Sequence, residues 1–119
     1  MTRKRIYVAG AYSADNITDV LGNMRKGMRL SVDVLLAGYA PFCPWLDYHF
    51  SLMLREGEKL SIQDYYDYSM AWLEVSDAIL LVPGYNGSKG TQMEIFRAYD
   101  LGIPIYASLD TLRAAIQPK

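Results

Sequence analysis

The sequence predicts an α/β fold built on a parallel sheet, and three features carry that prediction. Short apolar runs at 6–9, 39–43, 77–82 and 103–107 alternate with longer stretches of helical period. The third run, Ala78-Ile79-Leu80-Leu81-Val82, is apolar without a break, as a strand covered on both faces is. Gly10 ends the first run and Pro83-Gly84 the third, so each strand stops sharply and gives way to a loop. Strands that alternate with helices pair in parallel through right-handed crossovers. The simplest doubly wound order is 2-1-3-4. It reverses between the first and third strands, and ligands bind beyond the carboxyl ends of the strands at such a reversal.

Taken in order, residues 6–9 form the first strand and 10–16 a loop. Asn16 or Thr18 caps the next helix. That helix runs to about Leu36, with Val20, Met24, Met28, Val32 and Leu35 recurring every three or four residues, and Gly38 closes it. A short second strand at 39–43 carries Pro41, which suits a sheet edge. Residues 46–56 are predicted as a helix broken at Gly57. Ser61, with Asp64 three residues on, starts a helix that runs to about Val75. The third strand at 77–82 leads into a glycine-rich loop and then a helix from Thr91 to Leu101. A fourth strand at 103–107 and a short helix at 110–116 finish the chain. The 119 residues make one domain, 1–119, with no repeat or linker.

Composition narrows the function. Half of the residues are apolar, and the net charge is −1. No clustered basic patch offers itself to a nucleic-acid polymer. Arg3-Lys4-Arg5 reads as a solvated terminus. No apolar run approaches the ~18 residues of a membrane span, and the first residues lack the apolar stretch of a secretory leader. The single cysteine, Cys43, forms no intrachain disulfide, and a cytoplasmic setting is expected. His49 stands alone, so no metal site is expected. Ten tyrosines and two tryptophans suit a ligand pocket or a subunit interface.

The chemistry concentrates at 77–94. Strand, small-residue loop and helix start leave backbone N–H groups aimed outward, where they can hold an anion. Ser88 can add a hydroxyl. A plain strand-to-helix turn explains the same glycines. The loop is neither GxGxxG nor a Walker A sequence. Glu94 has two readings. Thr91 and Glu94 together have the spacing of a capping box. Alternatively, a carboxylate in a cleft can attack the anomeric carbon of a sugar, whose oxocarbenium-like transition state it stabilises and then traps. Tyr7, near the end of the first strand, is either a packed core aromatic or a partner that holds Glu94. Asp64 and Asp67 are solvated helical carboxylates or proton donors. Asp77 is expected to be structural. Topology alone brings Tyr7, Tyr12, Ser13, Asn16, Ser88 and Glu94 towards one crevice.

Taken together, Ile6-Tyr7-Val8-Ala9-Gly10, Trp72-Leu73 leading to Asp77, the run Gly87-Ser88-Lys89-Gly90-Thr91 with Glu94, and Ala98 followed by Gly102-Ile103-Pro104 resemble the nucleoside 2-deoxyribosyltransferase superfamily. That group includes the 2′-deoxynucleoside 5′-phosphate N-hydrolases and many small bacterial and phage proteins. The resemblance covers nearly the whole chain. It implies a flavodoxin-like or Rossmann-like three-layer sandwich with a mostly parallel sheet of four or five strands. It also implies cleavage or transfer at the N-glycosidic bond of a nucleoside or nucleotide, without a cofactor, by a homodimer or larger homo-oligomer. The catalytic glutamate falls on Glu94 and the strand-one tyrosine on Tyr7. The loop serine and glycine that meet a 5′-phosphate fall on Ser88 and Gly90; Thr91 beside them, and Gly10, Tyr12, Ser13 and Asn16 on the first loop, are expected to bind the substrate as well. Where the characterised enzymes carry an aspartate that assists the leaving base, this sequence has Ser69, and Asp67 is the nearest carboxylate. Ala11 and Ser13 stand where the phosphate hydrolases have a serine and an arginine. A nucleotide-sensing module without turnover is the competing expectation.

Overall fold

The structure, a computed structural model, describes residues 2–119. Four strands, β1 (Arg5–Ala9), β2 (Ala40–Phe42), β3 (Ala78–Leu81) and β4 (Ile105–Tyr106), alternate with five helices. The helices are α1 (Ile17–Leu36), α2 (Tyr48–Leu52), α3 (Ile62–Leu73), α4 (Lys89–Leu101) and α5 (Leu109–Ala115), and two 3-10 turns cover Pro44–Asp47 and Tyr85–Gly87. All strand pairs are parallel and the order is β2-β1-β3-β4, so the sheet reverses direction of growth between β1 and β3 as the alternation predicts. Tyr7 stands between Phe42 on one side and Ile79 on the other.

Side chains along a strand point alternately to the two faces of a sheet. Ile6, Val8, Ala78 and Leu80 therefore pack with Met24 and Val34 of α1 and with Leu112 of α5. Tyr7, Ala9, Ile79 and Leu81 pack on the opposite face with Leu73 of α3 and Ala98 of α4. These two cores make the three layers of a flavodoxin-like sandwich. Asp77, just ahead of β3, is structural: its carboxylate accepts from the Arg5 N–H at 2.7 Å, and its own N–H donates to the Arg5 carbonyl at 2.8 Å.

Helix starts follow local chemistry. The Asn16 side chain accepts from the Asp19 N–H at 2.9 Å and caps α1. Ser61 and Asp64 form the reciprocal capping box of α3. The expected helix over 46–56 is instead a 3-10 turn that begins at Pro44, followed by five residues of α2. Helix α2 buries none of its side chains, and a helix without a packed face has little to extend it.

Trp45, 1 % exposed, locks the segment after β2 onto the body of the protein. Its indole N–H donates to the Ala11 carbonyl at 3.1 Å. Its ring lies so close to α1 that a Cβ on Gly27 would sit 2.3 Å from it. Gly10 is equally confined, with a Cβ there falling 2.7 Å from Val82 Cβ and 3.2 Å from the Trp45 ring. Gly27→Ala is expected to displace Trp45 and to destabilise the fold by about 1–3 kcal/mol, measured by urea denaturation.

Candidate functional site

A cavity of about 570 Å³ opens beyond the carboxyl ends of the strands. Four separated segments line it, within residues 7–13, 44–51, 62–69 and 87–94. Tyr7, Ser69 and Glu94 come from the α3/α4 side of the sheet, and Tyr12, Trp45 and Asp47 from the α1 side.

Glu94 is placed by helical period. Thr91, Ile95 and Ala98 face the sheet from α4, and Glu94 shares that face. The capping-box explanation of this residue does not hold. The N-cap is Ser88, whose Oγ accepts from the Thr91 N–H at 3.2 Å and from the Thr91 hydroxyl at 2.9 Å. The helix thus starts ahead of Thr91, and Glu94 lies in its second turn with its side chain free of the cap. The Tyr7 hydroxyl donates to Glu94 Oε2 instead. Tyr7 fills both of its expected roles. Its fully buried ring stacks on Phe42 at 5.4 Å between centroids, while its hydroxyl reaches the cavity. Phe42 in turn stacks on Trp72 of α3, which sets that helix against the sheet.

Burial pushes the Glu94 carboxyl up to about 7, and the Tyr7 hydrogen bond pulls in the opposite direction. Burial, and then the Glu94 charge, hold the Tyr7 phenol far above the ordinary tyrosine range, so it keeps its proton and remains a donor. The Tyr66 phenol is raised by the same two causes. On the other side of the cavity, the Tyr12 hydroxyl donates to Asp47 Oδ1 at 3.0 Å. Burial raises the Asp47 carboxyl, and the Tyr12 bond opposes it. The hydroxyls of Ser51 and Tyr65 hydrogen-bond across the gap between α2 and α3.

The cavity brings together Tyr7, Gly10, Tyr12, Ser13, Ser88, Gly90, Thr91 and Glu94. Two expected site residues lie outside it. Asn16 is exposed and committed to the α1 cap. Asp67 is exposed and accepts from Gln63 Nε2 at 2.7 Å. The correction follows from helical geometry: Ile62, Tyr65, Tyr66 and Ser69 make the cavity-facing stripe of α3, and Asp67 falls on the far side. Ser69, buried and lining the cavity, occupies the position nearest Tyr7 on that stripe. Asp47 is the residue that the sequence pattern did not bring out. Its signal was available, because the segment after β2 also leaves the carboxyl end of a strand. Among the described residues, no group of three or more His, Cys, Asp or Glu side chains could hold a metal, and no helix is long and apolar enough to cross a membrane.

A parallel sandwich with an acidic, aromatic cavity at its switch point defines the class of this protein as flavodoxin-like α/β. Within that class, residues 4–108 match the family described as a domain of unknown function, DUF7768, and the chain belongs to that family. No curated protein sequence matches the chain. Among solved structures, the chain is similar to a 2-deoxyribosyltransferase from the psychrotolerant bacterium Bacillus psychrosaccharolyticus. The two share 18 % identity and a TM-score of 0.57 over 85 % of this chain and 69 % of the other, a likeness of fold.

The Glu94 shift sets a sign for stability. The unfolded chain releases this proton near 4.5 and the folded chain only near 7. The stabilisation is therefore present below 4.5 and lost as pH rises through 7. Glu94→Gln, neutral at all pH, is expected to gain about 3 kcal/mol over wild type between acid and mildly alkaline solution, measured by denaturant midpoints. Tyr7→Phe removes the bond that opposes the shift and is expected to move the Glu94 titration higher, read by carboxyl NMR.

Proposed function

We propose that the protein cleaves or transfers at the N-glycosidic bond of a nucleoside or nucleotide, with Glu94 as the nucleophile. The observation that carries this reading is the Tyr7 hydroxyl bonded to the Glu94 carboxyl inside an aromatic-lined cavity at the sheet's switch point. The fold shared with a 2-deoxyribosyltransferase supports it.

In the first step a Glu94 oxygen bonds to the anomeric carbon as the bond from that carbon to the base nitrogen breaks. The electron pair leaves on the base, which takes up a proton. The glycosyl ester so formed is then opened at the same carbon by water, or by a second base that transfers the sugar. The Glu94 carboxylate is released, and the incoming group's proton passes to solvent. Tyr7 orients the carboxylate and tempers its charge as the ester forms. Tyr48, Tyr65 and Tyr66 offer faces for the base, while Trp45 is buried behind them. The start of α4, with Ser88, Gly90 and Thr91, receives the 5′ end of the sugar beside Gly10, Tyr12 and Ser13. The steps need no metal or organic cofactor. A homo-oligomer belongs to the same proposal, since α4 leaves Met93, Phe96 and Tyr99 exposed on its outer face.

One residue favours a second reading. Ser69 lines the cavity where the resemblance expects an acid for the leaving base, which suits a module that binds a nucleotide without turning it over. Chromatography of base release separates the two. The protein is incubated with ribo- and deoxynucleosides and their 5′-monophosphates, with and without an acceptor base. The enzyme reading expects release that falls on the order of a thousandfold or more in Glu94→Gln. Absence of release from a folded sample whose Tm still rises with one of these compounds would leave only the binding module.

A further inference from the structure

Asp47 is a buried carboxyl without a structural task. It sits at the N-cap of α2, where aspartate ordinarily accepts from backbone N–H groups, yet its side chain makes no cap bond. It has no ion pair among the described residues. Its single protein partner there is the Tyr12 hydroxyl, on Oδ1. Oδ2 has none. No fully buried side-chain oxygen or nitrogen among the described residues lacks a partner. Oδ2 therefore reaches accessible surface, although the residue as a whole is only 9 % exposed, and Asp47 lines the cavity. Tyr48 and Tyr65 line the cavity as well, near the Tyr12–Asp47 pair. The cavity wall here combines aromatic side chains with a carboxyl oxygen that has no protein partner.

We propose that Asp47, positioned by Tyr12, reads an exocyclic amino group on the base, so that amino-bearing nucleobases are the substrate class. This inference rests on the nucleoside reading above and names which nucleosides it concerns. A carboxylate oxygen accepts hydrogen bonds and offers none. An amino edge supplies the N–H that Oδ2 lacks. A carbonyl at the same place would set oxygen against oxygen and leave a charged acceptor unpaired away from water, which is the arrangement that discriminates most strongly between close analogues. Tyr12 contributes by fixing the carboxyl plane and by favouring its ionised form. The titratable groups facing this pair are Tyr48, Tyr65 and Cys43, which supply no positive charge. Lys89 reaches the cavity from the opposite side of the sheet, at the start of α4.

The test uses Glu94→Gln protein, in which binding is read without turnover, and calorimetric titration with paired ligands. One pair is 2′-deoxycytidine and 2′-deoxyuridine; the other is 2′-deoxyadenosine and 2′-deoxyinosine. The amino member of each pair is expected to bind about 100-fold tighter. Adding Asp47→Asn, whose amide can also donate, is expected to collapse that ratio or invert it. Adding Tyr12→Phe, which leaves the carboxyl in place but unanchored, is expected to shrink it, and it stands as the second variant should Asp47→Asn unfold. A purely structural Asp47 would weaken both members of a pair alike. Equal binding within each pair, or a ratio that survives Asp47→Asn, overturns the inference while leaving the nucleoside reading intact. Absence of binding by any nucleoside, together with absence of base release by the wild type, overturns both.

Discussion

The hydrogen bond from Tyr7 to Glu94 is the contact on which the site depends. It crosses from the central strand to α4, and it keeps a half-buried carboxyl group oriented at the cavity wall. Both partners are held from behind. The Tyr7 ring is fixed by Phe42 and by the strands on either side. Glu94 is carried by a helix whose start is tied down by Ser88 and whose inner face is buried through Thr91 and Ala98. A carboxyl in bulk water would be fully ionised at neutral pH. Here burial pushes it up to about 7, above the ordinary carboxylate range.

Around that bond the cavity is assembled from both faces of the sheet. The α3/α4 layer brings the half-buried Glu94 carboxyl, Ser69, Ser88, Tyr65 and Tyr66. The α1 layer brings a second carboxyl–tyrosine pair and the Trp45 wall. Each carboxyl receives a phenolic O–H, and each phenol is raised by burial before its neighbour's charge is considered. The arrangement supplies negative charge in two places while positive charge reaches the cavity only through Lys89 among its lining residues. Such a site suits a neutral, planar ligand with N–H donors at one end better than a polyanion.

Most of the fold was legible in the residues. Apolar runs and their Gly10 and Pro83-Gly84 stops reported the buried strands β1 and β3, and Ser61 and Asp64 marked a helix start that the structure forms as a capping box. The observed order of the strands is the simplest doubly wound one, which alternation permits but does not by itself fix. What misled was local pattern without tertiary context. Thr91 and Glu94 have capping-box spacing, yet Ser88 supplies a better cap one turn earlier and releases Glu94 to meet Tyr7. Asp67 is close to Ser69 in sequence but on another face of the same helix. The 46–56 stretch has helical character and lacks a surface to pack on, which no reading of the stretch by itself reveals. Asp47 was hidden for the same reason: it lies at the seam of a 3-10 turn and a short helix, where period is lost.

The scatter of lining residues along the chain, from Tyr7 to Glu94, has a consequence for folding. No contiguous fragment contains the cavity. It comes into being only when the central strands have paired and both helical layers have docked, that is, with the global transition itself. Ligand affinity is therefore coupled to the cooperativity of the entire domain, and occupancy of the cavity clamps segments that are far apart in sequence but meet in one place. Forms in which these segments have come apart lose the cavity, and substitutions remote from it act on binding through the population of the native state.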